Sequence, residues 1–328
     1  MQNTHGSEVL LSEEMRDFEK SNFLKKDSYL FMKKAGYEVF RYIKDNFTRR
    51  QSLIVLCGPG NNGGDGFVIA KHLLKNGYNA QVYTFLEKRD YKGDALKAFN
   101  DFRGITKKIS SFKLKKDAVI VDALFGIGLT RNIKGKLNKI IKLINKSNNF
   151  VISVDIPSGI SSNNGQILGN AIKANFTVTF HRKKIGHVLG NGKEYSGKLK
   201  VADIGFINKK MKTRYLENSP YLWKKYFPWK KFSSHKYSRG KVVVFGGLKE
   251  FTGATILSAQ AALRTGTGSV KILCSKNTLQ IYSVKFPSVL KKEINDIYEL
   301  EKFIKKEKIT SMLIGPGSGT NKKIKEIT

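Results

Sequence analysis

The feature that most constrains this fold is a glycine-rich stretch between an apolar run and a helical pattern. Residues 57–66 read Cys-Gly-Pro-Gly-Asn-Asn-Gly-Gly-Asp-Gly, after the apolar run 52–56 and before the helical pattern 67–75. A strand, a glycine loop and a helix in this order form an anion cradle, because glycines permit positive φ and close approach, and the first helical turn offers unpaired N–H groups. We therefore predict a phosphate-bearing small molecule as the ligand.

This stretch fits neither common phosphate-binding motif. It lacks the Lys-Ser/Thr pair that ends a P-loop, and its spacing is not G-x-G-x-x-G, which weakens the interpretation as a dinucleotide-using dehydrogenase. The alternative is a structural turn, with Asp65 as the N-cap of the next helix. Five glycines and two asparagines within ten residues exceed what a turn needs.

Three predicted strand ends carry polar side chains beside turn-forming glycines. The glycine-rich stretch follows the first strand, Asp122 ends the buried run 118–121, and Asp155 ends the apolar run 150–154. A lone Asp at a strand end is usually a cap or a turn former. Strands that alternate with helices imply a mainly parallel sheet, which binds ligands beyond the carboxyl ends of its strands. We therefore expect these residues to converge at one edge of the sheet.

The remaining elements give an α/β pattern that stops and then restarts. Two helices are predicted within 13–42, strands at 80–85, 177–180 and 197–204, and a helix at 94–102; later strands are predicted at 241–245, 268–274 and 311–314, with a helix at 252–265. Between them, residues 205–239 lack periodicity and mix aromatic with basic side chains. Such a mixture can stack single-stranded nucleic acid, or it can pack as an interdomain linker. We predict domains at 1–206 and 232–328, joined by a linker at 207–231.

The composition is extreme only in its charge, which is formally +34 at pH 7. Clustered Lys and Arg neutralise nucleic-acid phosphates, but here the lysines are spread over nearly every predicted helix and loop. A solvated basic surface, which can also steer an anionic substrate, is the interpretation that we prefer. No apolar run reaches the roughly 20 residues of a membrane span, and the N-terminus lacks a signal-peptide pattern. We therefore expect a cytoplasmic protein without a membrane or a specific nucleic-acid partner.

Taken together, the motifs resemble the bifunctional NAD(P)H-hydrate repair enzymes. The N-terminal half of these enzymes is an NAD(P)HX epimerase, and the C-terminal half is an ADP-dependent NAD(P)HX dehydratase. The resemblance covers nearly the whole chain and rests on residues 58–66, 122–128, 154–159, 179–186 and 203–205, and in the second half on 234–236, 246–247, 252–254 and 315–317. It implies a Rossmann-like three-layer epimerase domain followed by an incomplete ribokinase-like α/β domain.

The resemblance also implies roles for individual residues. Those that match substrate-binding positions are Asn61, Asn62, Gly63, Gly64, Asp65, Gly126, Ile127, Gly128, Leu129, Thr130, Arg131, Asn132 and Asp155, with Ala254, Gly317 and Gly319 in the second half. Asn62, Asp122 and Ser158 match the positions that ligate K⁺, and all three offer the hard oxygen donors that such a cation prefers. The stretch 181–184 is unusually basic, and Lys184 can face either a substrate phosphate or solvent.

The implied activity is the interconversion of the R and S epimers of NADHX and NADPHX. Epimerisation at the hydroxyl-bearing C6 needs reversible loss of that oxygen or ring opening, and a carboxylate can stabilise the cation and exchange a proton. We assign this role to Asp155. The alternative is a non-catalytic Rossmann-like scaffold that binds nucleotide or RNA, although a scaffold does not need Asp122, Asp155 and the glycine-rich stretch together. A homo-oligomer is compatible with either interpretation.

The second half is expected to be incomplete as a dehydratase. The chain ends before the segments that the resemblance leads us to expect, namely Pro-His-Pro-Gly-Glu, a nucleotide-phosphate loop and a Gly-Gly-Asp with the catalytic Asp. A complete domain would use ADP or ATP with Mg²⁺. We therefore expect epimerase activity but no nucleotide-dependent dehydratase activity from these 328 residues.

Overall fold

The protein is described from a computed structural model, which describes residues 7–24, 26–207, 213–229 and 232–319. The chain divides into two compact units, Met1–Lys225 and Tyr226–Thr328. The division falls inside the predicted linker 207–231, of which residues 208–212 and 230–231 lie outside the described part. Among the described residues, no helix combines the length and the apolar composition that crossing a bilayer requires.

A parallel sheet forms the centre of the first unit. The strands of this unit are β1 (Glu8–Leu10), β2 (Ser52–Cys57), β3 (Asn79–Thr84), β4 (Thr106–Lys108), β5 (Val119–Ala123), β6 (Val151–Val154), β7 (Phe176–Phe180), β8 (Lys183–Lys184), β9 (Lys198–Ala202) and β10 (Tyr215–Leu216). Seven of them pair in the order β4-β3-β2-β5-β6-β7-β9. Each neighbouring pair is parallel. The predicted α/β class and its parallel sheet are confirmed.

Helices cover both faces of this sheet. The helices of this unit are α1 (Ser12–Phe23), α2 (Ser28–Asn46), α3 (Asn61–Lys75), α4 (Gly93–Phe102), α5 (Gly135–Asn145), α6 (Ile185–Val188), α7 (Gly192–Tyr195) and α8 (Pro220–Trp223). The predicted packing face of α2 is buried in one hydrophobic cluster with α1, α3 and α4. The apolar face of α5 joins a second cluster on the other side of the sheet. This arrangement is the predicted three-layer architecture.

A small sheet joins the start of the first unit to residues that were predicted to belong to the linker. β1 pairs in parallel with β8 and antiparallel with β10. Lys183 adds an ion pair to Glu217 at 2.5 Å, and Arg182 adds one to Glu8 at 2.6 Å. Part of the predicted linker is therefore a component of the first unit. Strands of two or three residues give no periodicity for sequence analysis to detect.

The second unit is a smaller parallel α/β layer. Its elements are β11 (Lys241–Phe245), α9 (Thr252–Arg264), β12 (Ser269–Cys274), α10 (Lys276–Lys285), β13 (Leu290–Glu293), α11 (Ile297–Glu307) and β14 (Ser311–Leu313). The strand order is β13-β12-β11-β14, with every pair parallel. β11 and β14 are neighbours, so the glycines that follow both strands meet. That this unit is an incomplete ribokinase-like domain stays a prediction.

Candidate active site

The three polar strand ends meet at one edge of the seven-stranded sheet. β2, β5 and β6 are neighbours, and a cavity of about 730 Å³ opens beyond their carboxyl ends. This volume lies within the range of about 300–1,000 Å³ that is usual for ligand pockets. Its wall contains charged side chains from several elements, namely Arg16, Glu19, Asp65, Asp94, Arg131, Asp155 and Lys184.

Asp155 and Lys184 form a buried ion pair in the cavity wall. The Lys184 ammonium donates to Asp155 Oδ1 at 2.6 Å, to Thr179 Oγ1 at 2.8 Å and to the Phe180 carbonyl oxygen at 3.2 Å. The Thr179 hydroxyl also donates to Asp155 Oδ1, at 3.0 Å. Asp155 Oδ2 lies beside Gly126, where an added Cβ would come within 3.3 Å of it. One carboxylate oxygen is thus held by the protein, and the other lies beside a residue of the cavity wall.

This pairing keeps the Asp155 carboxylate ionised. Burial raises the pKa of Asp155, but the neighbouring Lys184 ammonium and its hydrogen bond lower it, and the net pKa lies below the usual value. Lys184 is only 1% exposed, and its three acceptors all belong to the protein. The solvent-facing orientation that the sequence left open for Lys184 is therefore wrong, whereas contact with a substrate phosphate stays a prediction. In the structure, the Lys184 ammonium holds Asp155.

The backbone around Asp155 is fixed by neighbouring strands and by a neutral histidine. Asp155 has φ 65°, a left-handed conformation that Asp tolerates better than most residues. Its N–H donates to the Val178 carbonyl oxygen at 2.8 Å. His187 Nδ1 accepts from Lys184 N–H at 2.9 Å, so the proton is on Nε2, which lies 2.8 Å from the Asp155 carbonyl oxygen. Burial lowers the pKa of His187 to about 4, so it carries no charge at neutral pH.

Two further carboxyl groups, Glu19 and Asp65, share the cavity with Asp155. Burial raises the pKa of Glu19 to about 7, while the positive charge of Lys184 opposes the shift. Burial also raises the pKa of Asp65 well above its usual value, and the charges of Asp155 and Glu19 add to the effect. The site therefore combines one carboxylate held ionised with two whose pKa values are raised.

The second half of the glycine-rich stretch is helical rather than a loop. α3 begins at Asn61, and the glycines between 58 and 66 all have negative φ, so the expectation of positive φ is wrong. A Cβ at Gly58 would lie 1.6 Å from the Leu124 carbonyl oxygen, and one at Gly63 would lie 2.0 Å from that of Gly58. The glycines allow backbone segments to pack closely against one another. Asp65 lies inside α3 and is not its N-cap, because Gly60 occupies that position.

Asp122 and Ser158 lie buried beneath the cavity. The Ser158 hydroxyl donates to Asp122 Oδ1 at 2.5 Å, while Ser158 N–H and the Ser153 hydroxyl donate to Oδ2 at 2.8 and 2.9 Å. Burial raises the pKa of Asp122, although these hydrogen bonds oppose the shift. Asn62 is 8% exposed and lines the cavity. No described residue hydrogen-bonds its amide, and its Nδ2 atom is buried.

Comparison with protein families assigns both units. Residues 28–186 match the family model described as YjeF-related protein N-terminus, and residues 242–328 match that described as NAD(P)H-hydrate dehydratase. Over 181 residues the chain is 36% identical to an NAD(P)H-hydrate epimerase from Lentilactobacillus buchneri, which covers 54% of this chain and 84% of that protein. The chain belongs to the NAD(P)H-hydrate epimerase family.

Other relatives are named bifunctional NAD(P)H-hydrate repair enzymes. The chain is 33% identical to the bifunctional NAD(P)H-hydrate repair enzyme Nnr of Dictyoglomus turgidum, which covers 91% of this chain and 62% of that protein. The Coxiella burnetii enzyme is also 33% identical, covering 89% of this chain and 60% of that protein. The chain therefore spans about three fifths of the length of these relatives. A yeast crystal structure, ynu0 (YNL200c), shares the fold with a TM-score of 0.50 at 21% identity, and the match covers 64% of this chain and 99% of that one.

Most of the predicted substrate-binding residues of this epimerase-family chain lie at the cavity. Asn61, Asn62, Asp65 and Asp155 line it, as do all residues from Gly126 to Arg131. Asn132 is exposed outside the lining, whereas Gly63 and Gly64 are buried in α3. A Cβ at Gly64 would meet the Met32 side chain at 2.7 Å. Gly63 and Gly64 therefore make packing contacts, and their predicted binding of substrate stays a prediction.

The predicted residues of the second unit lie after its strands. Ala254 is exposed in the first turn of α9. Gly317 has φ 73°, and its carbonyl oxygen accepts from Leu248 N–H at 3.0 Å. Thr255 Oγ1 accepts from Gly247 N–H at 3.1 Å and contacts the Pro316 carbonyl oxygen at 3.4 Å. The segments that follow β11 and β14 are thus bound to each other. A Cβ added at Gly319 would lie 3.5 Å from the Leu248 side chain.

Sequence analysis missed the charged residues that α1 contributes. Arg16 and Glu19 line the cavity, and Arg16 donates to the Ile127 carbonyl oxygen at 3.4 Å. In sequence, these residues look like the solvated charges of an ordinary amphipathic helix. The one available signal was their spacing of three residues, which places them on the same face of a helix.

Proposed function

We propose that the first unit epimerises hydrated nicotinamide dinucleotides at C6 and that both NADHX and NADPHX are substrates. The observation that carries this proposal is the ionised, partner-held carboxylate of Asp155 beside two carboxyl groups of raised pKa, Glu19 and Asp65. Interconverting two epimers of a hydroxylated carbon needs charge stabilisation and proton transfer but no net oxidation. The cavity supplies both of these without any further redox group.

Asp155 stabilises the positive charge that develops on the nicotinamide ring when the C6 oxygen leaves. Because Lys184 and Thr179 hold Oδ1, only Oδ2 is available to face the ring. A fixed charge in a desolvated site stabilises a developing charge without reorganisation at the moment of reaction. The lowered pKa of Asp155 suits this electrostatic role better than the proton exchange that the sequence suggested.

The phosphates of the dinucleotide are proposed to bind at the start of α3. The N–H groups of Asn61, Asn62 and Gly63 stand at the positive end of a helix of 15 residues. Arg131 also lines the cavity, at the end of the segment 126–131. Its guanidinium group can pair with phosphate. This placement leaves the nicotinamide end of the substrate for Asp155.

A K⁺ site formed by Asn62, Asp122 and Ser158 is proposed as well. The donor set fits a hard cation, and the Asn62 amide has no hydrogen-bond partner among the described residues. Asp122 already accepts hydrogen bonds on both oxygens, and Ser158 Oγ lies 3.3 Å from the Phe125 carbonyl oxygen, which offers its hydroxyl another acceptor. The cation would supply a fixed positive charge that holds the turns after β2, β5 and β6 together.

The second unit is proposed to contact a hydrated cofactor through Ala254, Gly317 and Gly319, in line with its match to the dehydratase family. Among the described residues, no cluster of three or more His, Cys, Asp or Glu side chains could hold a metal ion. The expectation that these 328 residues catalyse no dehydration driven by ADP or ATP with Mg²⁺ stays a prediction. The cytoplasmic location and a homo-oligomer also stay predictions.

The test is epimerisation of a purified substrate. The chain is incubated with R-NADHX in potassium buffer, and the ratio of epimers is followed by chromatography against buffer alone and against heat-denatured protein. We expect the native chain to bring R and S to equilibrium faster than either control. Equal rates in all three samples would reject the enzymatic proposal and favour the scaffold alternative.

A further inference from the structure

Glu19 occupies a position in the cavity that a packing or surface role does not explain. α1 is anchored by Met15 and Phe18, which are 1% and 6% exposed. The Phe18 ring stacks on His181 with centroids 4.2 Å apart, and this contact fixes the helix. Glu19 follows directly on the cavity side. Among the described residues, the Glu19 carboxyl group has no hydrogen-bond partner and no ion pair.

The proposed reaction needs a proton donor that Asp155 cannot be. Asp155 is held ionised by Lys184, so it has no proton to give to a departing hydroxyl group at neutral pH. Lys184 directs its ammonium to three acceptors of the protein. His187 is neutral, and both of its ring nitrogens are engaged by backbone groups. The site therefore lacks a free acid unless another carboxyl group provides one.

On the basis of the proposed function, we propose that Glu19 is the general acid and base that protonates the departing C6 hydroxyl group and deprotonates the returning water. The Glu19 carboxylic acid gives its proton to the C6 oxygen, the C6–O bond breaks with its electron pair on oxygen, and the N1 lone pair forms an N1=C6 double bond. Water then adds to the opposite face of C6, the double bond returns its electrons to N1, and the departed water relays the proton of the added water to the Glu19 carboxylate. Atoms, electrons and charge balance over the cycle.

The environment of Glu19 suits this role. The charged groups that act on it are Lys184 and Asp155 across the cavity, Arg16 one helical turn earlier and Asp65 from α3. Burial raises the pKa of Glu19 to about 7, near the pH at which an acid–base catalyst is most effective. Two carboxyl groups whose pKa values are driven apart, such as Asp155 and Glu19, are typical of a site that divides charge stabilisation from proton transfer.

The test compares Glu19→Gln with Glu13→Gln, an exposed residue of the same helix, in the R-NADHX assay between pH 5.5 and 9. Gln keeps the shape of Glu19 but cannot transfer the proton, so we expect kcat to fall by about 100-fold or more. In the wild type and in Glu13→Gln, the rate should fall above about pH 7, because Glu19 must begin protonated in either direction. This alkaline limb of the pH profile should be absent from Glu19→Gln. Glu19→Asp should show the alkaline limb at a lower overall rate.

Three other outcomes would contradict the proposed role of Glu19. If wild type is active and Glu19→Gln keeps its kcat and the alkaline limb, the role of Glu19 is refuted while the proposed function stands. If Glu19→Gln lowers the melting temperature and rate but retains the limb, Glu19 is structural and the inference is again wrong. If the wild-type chain does not accelerate epimerisation at all, both the proposed function and this role are rejected.

Discussion

Replacing Lys184 by Met should destabilise the first unit far more than an exposed lysine of the same geometry would. Met removes the ammonium that Asp155, Thr179 and the Phe180 carbonyl group accept from. Breaking a buried ion pair by removing one partner costs about 3–5 kcal/mol, because the other charge stays buried. The matched control is Lys173→Met, since Lys173 pairs with Glu194 at the same 2.6 Å but is 56% exposed. Lys173→Met should lower the stability only slightly, because exposed ion pairs are screened by water.

The cost of Lys184→Met should depend on pH in a defined direction. In the wild type, the pKa of Asp155 is lowered, so its ionisation stabilises the fold above the pKa of the unfolded carboxyl group. Without Lys184, the effect of burial loses its largest opposing interaction, and the pKa of Asp155 should rise. The variant is then least destabilised at low pH, where Asp155 is protonated in both states, and its stability falls as pH rises through the raised value. The destabilisation should therefore be larger at pH 7.5 than at pH 4.5.

The assay is urea unfolding followed by hydrogen exchange in peptides from β6 and β7, which report on the first unit alone. This matters because two units need not unfold together. Adding Asp155→Asn to Lys184→Met removes the buried charge and should recover a large part of the lost stability. The reasoning is refuted if Lys184→Met and Lys173→Met cost the same, or if the double variant is no more stable than Lys184→Met.

Three further predictions concern packing, the cation and the surface charge. Gly58→Ala should destabilise the first unit by about 1–3 kcal/mol or more, because its Cβ would meet the Leu124 carbonyl oxygen, whereas Gly128→Ala, with open space around it, should not; equal melting temperatures would contradict this. Asn62→Ala should abolish any difference in epimerisation rate between potassium and sodium buffers, and an undiminished difference would exclude Asn62 as a ligand. The net charge of +34 predicts weak polyanion binding that disappears with added salt; sequence-selective RNA binding at high salt would revive the scaffold interpretation.

The sequence was sufficient for the sheet and for the strand ends because both depend on local patterns. Apolar runs that end in Asp122 and Asp155 identify strands and their carboxyl ends, and parallel topology then brings those ends together. It was not sufficient for the glycine-rich stretch, where Gly58 meets the backbone of Leu124 just after β5 and the glycines do not take positive φ. That requirement comes from distant residues, so the local sequence does not reveal it.

Electrostatic roles were the least predictable from sequence. Lys184 belongs to a run of basic residues, and nothing in that run distinguishes the one buried ammonium from its exposed neighbours. A strand-tip carboxylate considered alone contributes little to a core. In the structure, however, Asp155→Asn would leave the Lys184 ammonium buried without its carboxylate, so we expect the substitution to destabilise the fold. The effect of such a substitution depends on which charged side chain the residue contacts. That contact is determined by the tertiary structure and not by the local sequence.

The most direct test of the account is the epimerase activity of the double variant Asp155→Asn/Lys184→Met. Both buried charges are removed together, so the first unit should fold with near wild-type hydrogen exchange in β6 and β7. Because the carboxylate that stabilises the developing cation is gone, kcat should fall by about 100-fold or more. A folded double variant that brings R- and S-NADHX to equilibrium at close to the wild-type rate would contradict the assignment of the chemistry to Asp155.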